Sequence, residues 1–117
     1  MTEVLTRWLA ALRDPALLPA AVTDDIRVER FAPAPRGTPA VAPVQVMDGI
    51  PAVAKWLALT PKASAVELAG EPVADGELVT VEYRYRVEDW SNGGTWILRL
   101  AGDKLAWLAH RPFALDA

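Results

Sequence analysis

The C-terminal third of the chain, from Val79 to Phe113, most constrains the fold, because it predicts three alternating β-strands joined by short turns. In the stretch VTVEYRYRV, which begins at Val79, apolar and aromatic residues take every second position. Successive side chains of a strand point to opposite faces of a sheet, so one face suits a core or cavity and the other suits water or a partner. The front half gives mainly helix signals. We therefore expect an α+β domain in which a curved, mixed but mainly antiparallel sheet wraps around helices.

Apolar spacing and turn residues outline the elements that precede this sheet. Val4 to Leu12 recur at helical spacing, and Asp14 followed by Pro15 is a typical helix start, so two successive helices are expected. Alternation in IRVERF predicts a first strand. The predicted elements are helices over 4–13, 15–21 and 51–60 and strands over 26–31, 44–47 and 64–69. Turns are predicted at 74–77, 91–94 and 101–103.

Length and composition limit the function classes. A chain of 117 residues is expected to form one domain over 1–117. Its net charge is −3 with both signs interleaved, so no basic surface for nucleic acid is expected. The N-terminal segment lacks the apolar run of a signal peptide or membrane span, so we expect no membrane partner and a cytoplasmic location. With no cysteine, one histidine and scattered acids, we expect no metal site and no cofactor.

The segment 32–43 contains four prolines and one glycine, which disfavours regular strand pairing. It is expected to be an extended loop over one end of the sheet. A plain connector is favoured, and a lid over a pocket is the alternative.

The order of these elements resembles the nuclear transport factor 2-like superfamily, and more closely its ketosteroid isomerase-like and SnoaL-like branches. The resemblance lies in the stretches RWLAALRDPALLPAAVTDDIRVERF, DGIPAVAKWL and GGTWILRLAGDKLAWLAHRPF, which together span nearly the whole chain. Each is a pattern of apolar positions around short turns, so it bears on fold more than on activity. The resemblance implies a cone-shaped fold in which a bent sheet curls around a long helix and leaves a pocket, with frequent homodimers through the outer sheet face.

Strand alternation within that fold assigns side chains to the pocket and to the outer face. The ligand is expected to be small and mostly apolar, with an acidic group as an option. The residues expected to contact it are Trp8, Val28, Arg30, Tyr83, Tyr85, Trp96, Leu108 and His110. Leu98, Leu100 and Ala106 are expected on the same face, whereas Trp56 is expected to fill the core. The homodimer is expected through Arg84, Arg86, Ile97, Arg99 and Trp107, beside Glu82 and Arg111. A solvated, charged face is the alternative.

The steroid isomerase reaction requires a tyrosine on the first helix, a carboxylate base at the end of the first strand and a protonated acid on a late strand. In this chain those places align with Trp8, Arg30 and Trp96. Tryptophan does not shuttle a proton and arginine does not accept one. The isomerase mechanism is therefore not expected, unless a shift of one residue brings Glu29 to the base position.

Two other residues are candidates for chemistry. His110 is the sole histidine and the best candidate for a general acid–base, with a polar position in a pocket as its alternative. Arg30, if it points inward, requires an anionic partner, because an unpaired buried charge is costly. An acid of the chain, such as Asp25 or Glu29, is favoured over an anionic ligand.

Three functions follow from these expectations. The first is a binding module whose aromatic pocket takes a small apolar ligand. The second is an isomerase, cyclase or dehydratase that uses His110 with Tyr83 or Tyr85. The third is a structural dimerisation domain whose interior is filled around Trp96.

Overall fold

The structure, a computed structural model, describes residues 2–39, 42–60 and 65–114. Three helices precede or interrupt the strands: α1 (Thr2–Arg13), α2 (Leu18–Ala21), which follows a 3-10 turn at Pro15–Leu17, and α3 (Ile50–Leu59). The strands are β1 (Val22–Arg30), β2 (Gln45–Asp48), β3 (Ala65–Leu68), β4 (Val73–Asp75), β5 (Leu78–Val87), β6 (Trp90–Ala101) and β7 (Lys104–Pro112). As predicted, Asp14 caps the turn before α2 by accepting a hydrogen bond from the Ala16 N–H.

The described strands form one seven-stranded, curved and unclosed sheet in the order β2-β1-β7-β6-β5-β3, with β4 pairing with β5. Strands β1 and β7 run parallel, and the other pairs are antiparallel. The predicted α+β architecture with a mixed, mainly antiparallel sheet is therefore confirmed. Among the described residues, no helix is long and apolar enough to cross a membrane.

An apolar core fills the space between the helices and the concave face of the sheet. Trp8 of α1, Leu18 of α2 and Ile26 of β1 are fully buried there, with Leu98 and Leu105 from the last two strands. Apart from Trp8, Tyr83 and Trp96, whose rings carry a polar N–H or O–H, no described residue with a polar or charged side chain is buried. Burying a side chain of the size of leucine contributes about 1.5–3 kcal/mol, so this cluster is the main source of stability.

Two predicted boundaries are wrong. Strand β1 begins at Val22 rather than Ile26. Asp24 and Asp25 do not end the strand, because they lie exposed in an irregular stretch of it, where the pairing with β7 shifts register. The turn predicted at 91–94 lies within β6, and the chain reverses at Glu88 and Asp89 instead. Glu88 adopts a positive φ of 56°, a conformation that residues with a side chain rarely take.

A bulge in β7 changes one predicted face. Arg99 pairs with Trp107 and Leu100 pairs with Leu105, so Ala106 is an extra residue between the two pairs. Leu105 is fully buried in the core, whereas Ala106, which strand alternation placed inward, is not part of it. An inserted residue puts the positions on its two sides out of phase with each other, and alternation alone does not reveal it.

The proline-rich loop lies along the end of β7 on the outer side of the sheet. Ala34 forms a parallel bridge with Phe113, and the Arg111 guanidinium donates to the carbonyl of Thr38 at 2.6 Å. Arg36 covers the ring of Phe113 and forms an ion pair with Glu82. These contacts attach the described part of the loop to the sheet, as expected of a connector.

Candidate functional site: a cavity between helix α3 and the sheet

A cavity of about 800 Å³ opens between α3 and the inner face of the sheet. Ligand pockets usually have volumes of about 300–1,000 Å³, so this one has room for a small organic molecule. The described residues that line it are Leu12, Arg30, Gln45, Val46, Met47, Ala52, Lys55, Trp56, Leu57, Leu59, Thr60, Val66, Tyr83, Tyr85, Val87, Trp96 and His110. None of the described residues of the proline-rich loop is among them, so the described part of the loop does not line the cavity.

Stacked aromatic rings form the floor of the cavity. The ring of Tyr83 lies parallel to Trp96 with centroids 4.2 Å apart, and it also stacks on Tyr85 and His110 at 6.2 and 5.4 Å. Trp56 of α3 meets His110 edge-on at 5.3 Å. Stacked and edge-to-face arrangements are those that aromatic pairs prefer, and each adds about 0.5–1.5 kcal/mol beyond burial. The floor is therefore mostly apolar.

Gly94 makes room for this stack. It pairs with Tyr83 across β5 and β6, and a Cβ atom at position 94 would lie 2.5 Å from the Tyr83 hydroxyl oxygen and 2.5 Å from the Arg111 carbonyl oxygen. At Gly93, a Cβ atom would lie 2.3 Å from the carbonyl oxygen of Tyr83. These glycines therefore permit close packing in a strand, although their composition is typical of a turn.

A chain of hydrogen bonds runs through the aromatic floor. The Trp96 Nε1–H donates to His110 Nδ1 at 3.1 Å, and the Tyr83 hydroxyl lies 3.4 Å from His110 Nε2. An indole N–H can only donate, so Nδ1 must be the acceptor, and the proton of a neutral imidazole then resides on Nε2. Nε2–H points to the Tyr83 oxygen, which leaves the tyrosine hydroxyl hydrogen for another acceptor.

Burial keeps both titratable residues of this hydrogen-bonded series, His110 and Tyr83, neutral. Together with the smaller effect of the positive charge of Arg30, it lowers the pKa of His110 from 6.5 to about 4. It also raises the pKa of Tyr83 far above its usual range, with a smaller contribution from Tyr85. At neutral pH the floor therefore presents an uncharged imidazole and an uncharged phenol.

The charged groups that line the cavity are all cationic. Arg30, next to His110 across β1 and β7, donates from Nε to the Gln45 amide oxygen at 2.9 Å. Lys55 of α3 lies exposed at the cavity. No Asp or Glu is among the described lining residues, and none of the ion pairs found in the described part of the chain involves Arg30. The predicted pairing of Arg30 with Asp25 or Glu29 is therefore wrong. Glu29 contacts Trp107 and Arg27 instead, and Asp25 is exposed in the irregular part of β1.

The structure brings only part of the predicted ligand-contact set together. Arg30, Tyr83, Tyr85, Trp96 and His110 line the cavity. Trp8, Val28 and Leu108 are fully buried in the core and do not line it. Those three lie where α1 and α2 pack on the sheet, so that end of the cone is filled with side chains. Trp8 packs edge-on against Trp96 at 6.1 Å, and its Nε1 has no hydrogen-bond partner in the described part of the chain.

Sequence reasoning missed the contribution of α3 and β2. Trp56 was expected in the core, but it faces the cavity together with Lys55 and Ala52. Val53 and Leu57 form the buried stripe of α3, and the cavity-lining residues follow at the adjacent helical positions. In β2, Gln45 is paired with Arg30, and alternation from the buried Met47 would have placed it on the inner face.

The outer face is charged, as predicted. Arg84, Arg86 and Arg99 are exposed, and Ile97 and Trp107 are half-buried. The Trp107 indole donates to the Glu29 carboxylate at 2.5 Å, and Glu29 also pairs with Arg27. Glu29 thus faces away from the cavity, where it cannot act as a base for a bound molecule. A homodimer through this face stays a prediction.

Comparison with known proteins shows the fold. No family model and no curated protein matches the chain. Among solved structures, a SnoaL-like family protein from Agrobacterium tumefaciens is similar at 18% identity and a TM-score of 0.70, covering 97% of each chain. An NTF2-like protein of unknown function from Mesorhizobium loti has 21% identity and a TM-score of 0.68, covering 97% of this chain and 90% of its own. A third, from Catenulispora acidiphila, has a ketosteroid isomerase-like fold and was solved with trimethylamine, at 19% identity, a TM-score of 0.69 and coverage of 92% and 82%. These structures show that the chain has the nuclear transport factor 2-like fold, as the sequence resemblance implies.

Proposed function

We propose that this chain is a SnoaL-like binding module that holds a small, mostly apolar molecule in the cavity between α3 and the sheet. The observation that carries the proposal is the occupied Nδ1 atom of His110 at the floor of an open, aromatic cavity. In a structural domain with a filled interior, side chains would occupy the space beside Trp96, whereas this cavity leaves about 800 Å³ open there. The neighbour from Catenulispora acidiphila, solved with trimethylamine, has the same fold and supports a binding role.

The hydrogen bonds of His110 favour binding over acid–base catalysis. A general base must offer a free lone pair within reach of the proton it removes. His110 accepts from Trp96 at Nδ1, and Nε2 carries the proton, so neither nitrogen offers one. Protonation of Nδ1 would place two N–H groups against each other. Tyr83 does not ionise near neutral pH, because burial raises its pKa. No carboxylate among the described lining residues could replace them.

A neutral probe tests the proposal. N-phenyl-1-naphthylamine is uncharged, and its fluorescence rises in an apolar environment. We expect saturable binding of one molecule per chain to the purified protein. Ala52→Trp should block the cavity, because Ala52 lines it on α3, and should weaken binding at least about tenfold. Ala58→Trp places the same ring on the exposed side of that helix and is the matched control.

The result has two readings. Binding that is lost in Ala52→Trp and retained in Ala58→Trp supports the cavity as a binding site. Absence of saturable binding, or equal binding by both variants, contradicts the proposal. Thermal unfolding of each variant shows whether the helix has stayed folded.

A further inference from the structure

The charged residues among the described lining of the cavity are positive, although the protein as a whole is acidic. The chain has a net charge of −3, yet Arg30 and Lys55 are the charged residues among the described lining residues. Lys55 is exposed and Arg30 is half-buried, next to the aromatic floor. In a concave site, two cations without a carboxylate create a local positive potential that opposes the overall charge.

Arg30 has unused capacity to donate hydrogen bonds. A guanidinium has five N–H donors, and toward the described residues Arg30 uses one of them, on Nε, which donates to Gln45. A planar guanidinium matches a carboxylate in a bidentate arrangement, and such charge-assisted bonds are stronger than neutral ones. Since Gln45 is uncharged, it orients the Arg30 side chain without neutralising it. By contrast, Arg27 on the outer side of the same strand pairs with both Glu29 and Asp48.

The neighbours of Arg30 are suited to an anionic group. His110, the adjacent residue of β7, is neutral, and Tyr83 retains a hydroxyl hydrogen that can be donated. Beyond this polar end, the lining is apolar and includes Met47, Leu57 and Val66. The cavity thus has a cationic, donor-rich end and an apolar remainder.

We infer that the ligand of this cavity is an amphipathic acid, whose anionic group is bound by Arg30, with Lys55 nearby, and whose apolar body lies on the aromatic floor. The inference rests on the proposed binding function and adds the chemical class of the ligand. The acid supplies the anionic partner that the described chain does not provide for Arg30. A neutral ligand of the same shape would leave that charge uncompensated.

Matched probes test the inference. 1-Naphthaleneacetate and 1-naphthaleneacetamide have the same apolar body, and they differ in one negative charge. We expect the acid to displace N-phenyl-1-naphthylamine at a concentration at least about tenfold lower than the amide. A hydrogen bond between charged groups is stronger than a neutral one by about 1.4 kcal/mol, which is about tenfold in affinity. The preference should decrease as salt is raised, since Lys55 is exposed to screening.

Two arginine variants locate the acid. Arg30→Gln and Arg27→Gln each remove one positive charge from β1, but only Arg30 lines the cavity. We expect Arg30→Gln to abolish the preference for the acid and Arg27→Gln to retain it. In the wild-type protein, binding of the acid should also raise the pKa of His110 in an NMR titration, because an anion beside an imidazole favours its protonated form.

Equal potency of acid and amide, whether both displace the probe or neither does, overturns the inference. So does a preference for the acid that survives in Arg30→Gln. Both outcomes leave the direct binding of N-phenyl-1-naphthylamine unchanged, and that binding tests the proposed function separately.

Discussion

Acid should destabilise this protein through His110 in a defined pH window. In the folded chain, burial and Arg30 lower the pKa of His110 from 6.5 to about 4. Between these values the unfolded chain binds a proton that the folded chain does not, so the free energy of unfolding rises with pH. The contribution of His110 is fully present above about pH 6.5 and is lost as the pH falls toward 4.

The size of the effect follows from the shift. One pKa unit corresponds to about 1.4 kcal/mol, so the lowering of the His110 pKa is equivalent to about 3 kcal/mol in total. Partial exposure of the ring and screening by solvent reduce this figure. We expect a loss of about 2 kcal/mol between about pH 7.5 and pH 4.5.

Urea unfolding followed by circular dichroism measures this loss, with His110→Asn as the reference protein. The Asn amide oxygen can take the place of Nδ1 and accept from Trp96, but it does not titrate. Carboxylate titrations affect both proteins alike, so the difference between the two unfolding free energies isolates His110.

A second variant tests whether the hydrogen bond from Trp96 to Nδ1 adds to the effect of burial and Arg30 on the His110 pKa. Trp96→Phe retains a ring in the stack but removes the N–H that occupies Nδ1, so we expect a higher His110 pKa and a weaker dependence on pH. The reasoning is refuted if the wild-type and His110→Asn unfolding free energies change in parallel, to within about 0.5 kcal/mol, across this pH range.

Three further predictions concern stability and are measured by urea unfolding at neutral pH. Gly94→Ala should cost about 2–3 kcal/mol, because its new methyl group would overlap the Tyr83 hydroxyl, whereas Gly70→Ala, with no atom within 4 Å, should change stability by less than about 0.5 kcal/mol; equal effects would contradict the proposed packing. Glu88→Gly should raise stability by about 0.5 kcal/mol, because glycine adopts the positive φ at this turn more readily, and a loss would show that the Glu88 side chain has a stabilising contact. Trp107→Phe should cost about 1–2 kcal/mol through the lost hydrogen bond to a carboxylate on the outer face, and a neutral result would show that this bond is not formed in solution.

The periodicity of side chains determined much of the fold. Alternation in β5 predicted that Val79, Val81 and Tyr83 are buried while Arg84 and Arg86 are exposed, and the structure has this arrangement. The helical spacing in α1 likewise predicted its buried stripe. Such patterns are readable because the face of a side chain depends on local backbone geometry alone.

The sequence did not predict the environment of residues whose position depends on a neighbouring strand. Gly93 and Gly94 were expected in a turn from their composition, but their function is to admit the backbone and hydroxyl of Tyr83 across the sheet. The bulge at Ala106 replaced an expected inner residue by Leu105 for the same reason, since register is a relation between two strands.

By itself, the sequence determined the class of fold, the apolar and charged faces of the sheet, and the inward position of Tyr83 and Trp96. The tertiary structure alone decided how these residues combine: that Trp96 occupies Nδ1 of His110, that Arg30 has an amide rather than an acid as its partner, and that Trp56 and Lys55 complete the cavity. Each of these contacts joins elements that are distant in sequence. Hydrogen-bond partners and charge compensation depend on distances of a few ångströms between such elements, which no pattern within a single segment specifies.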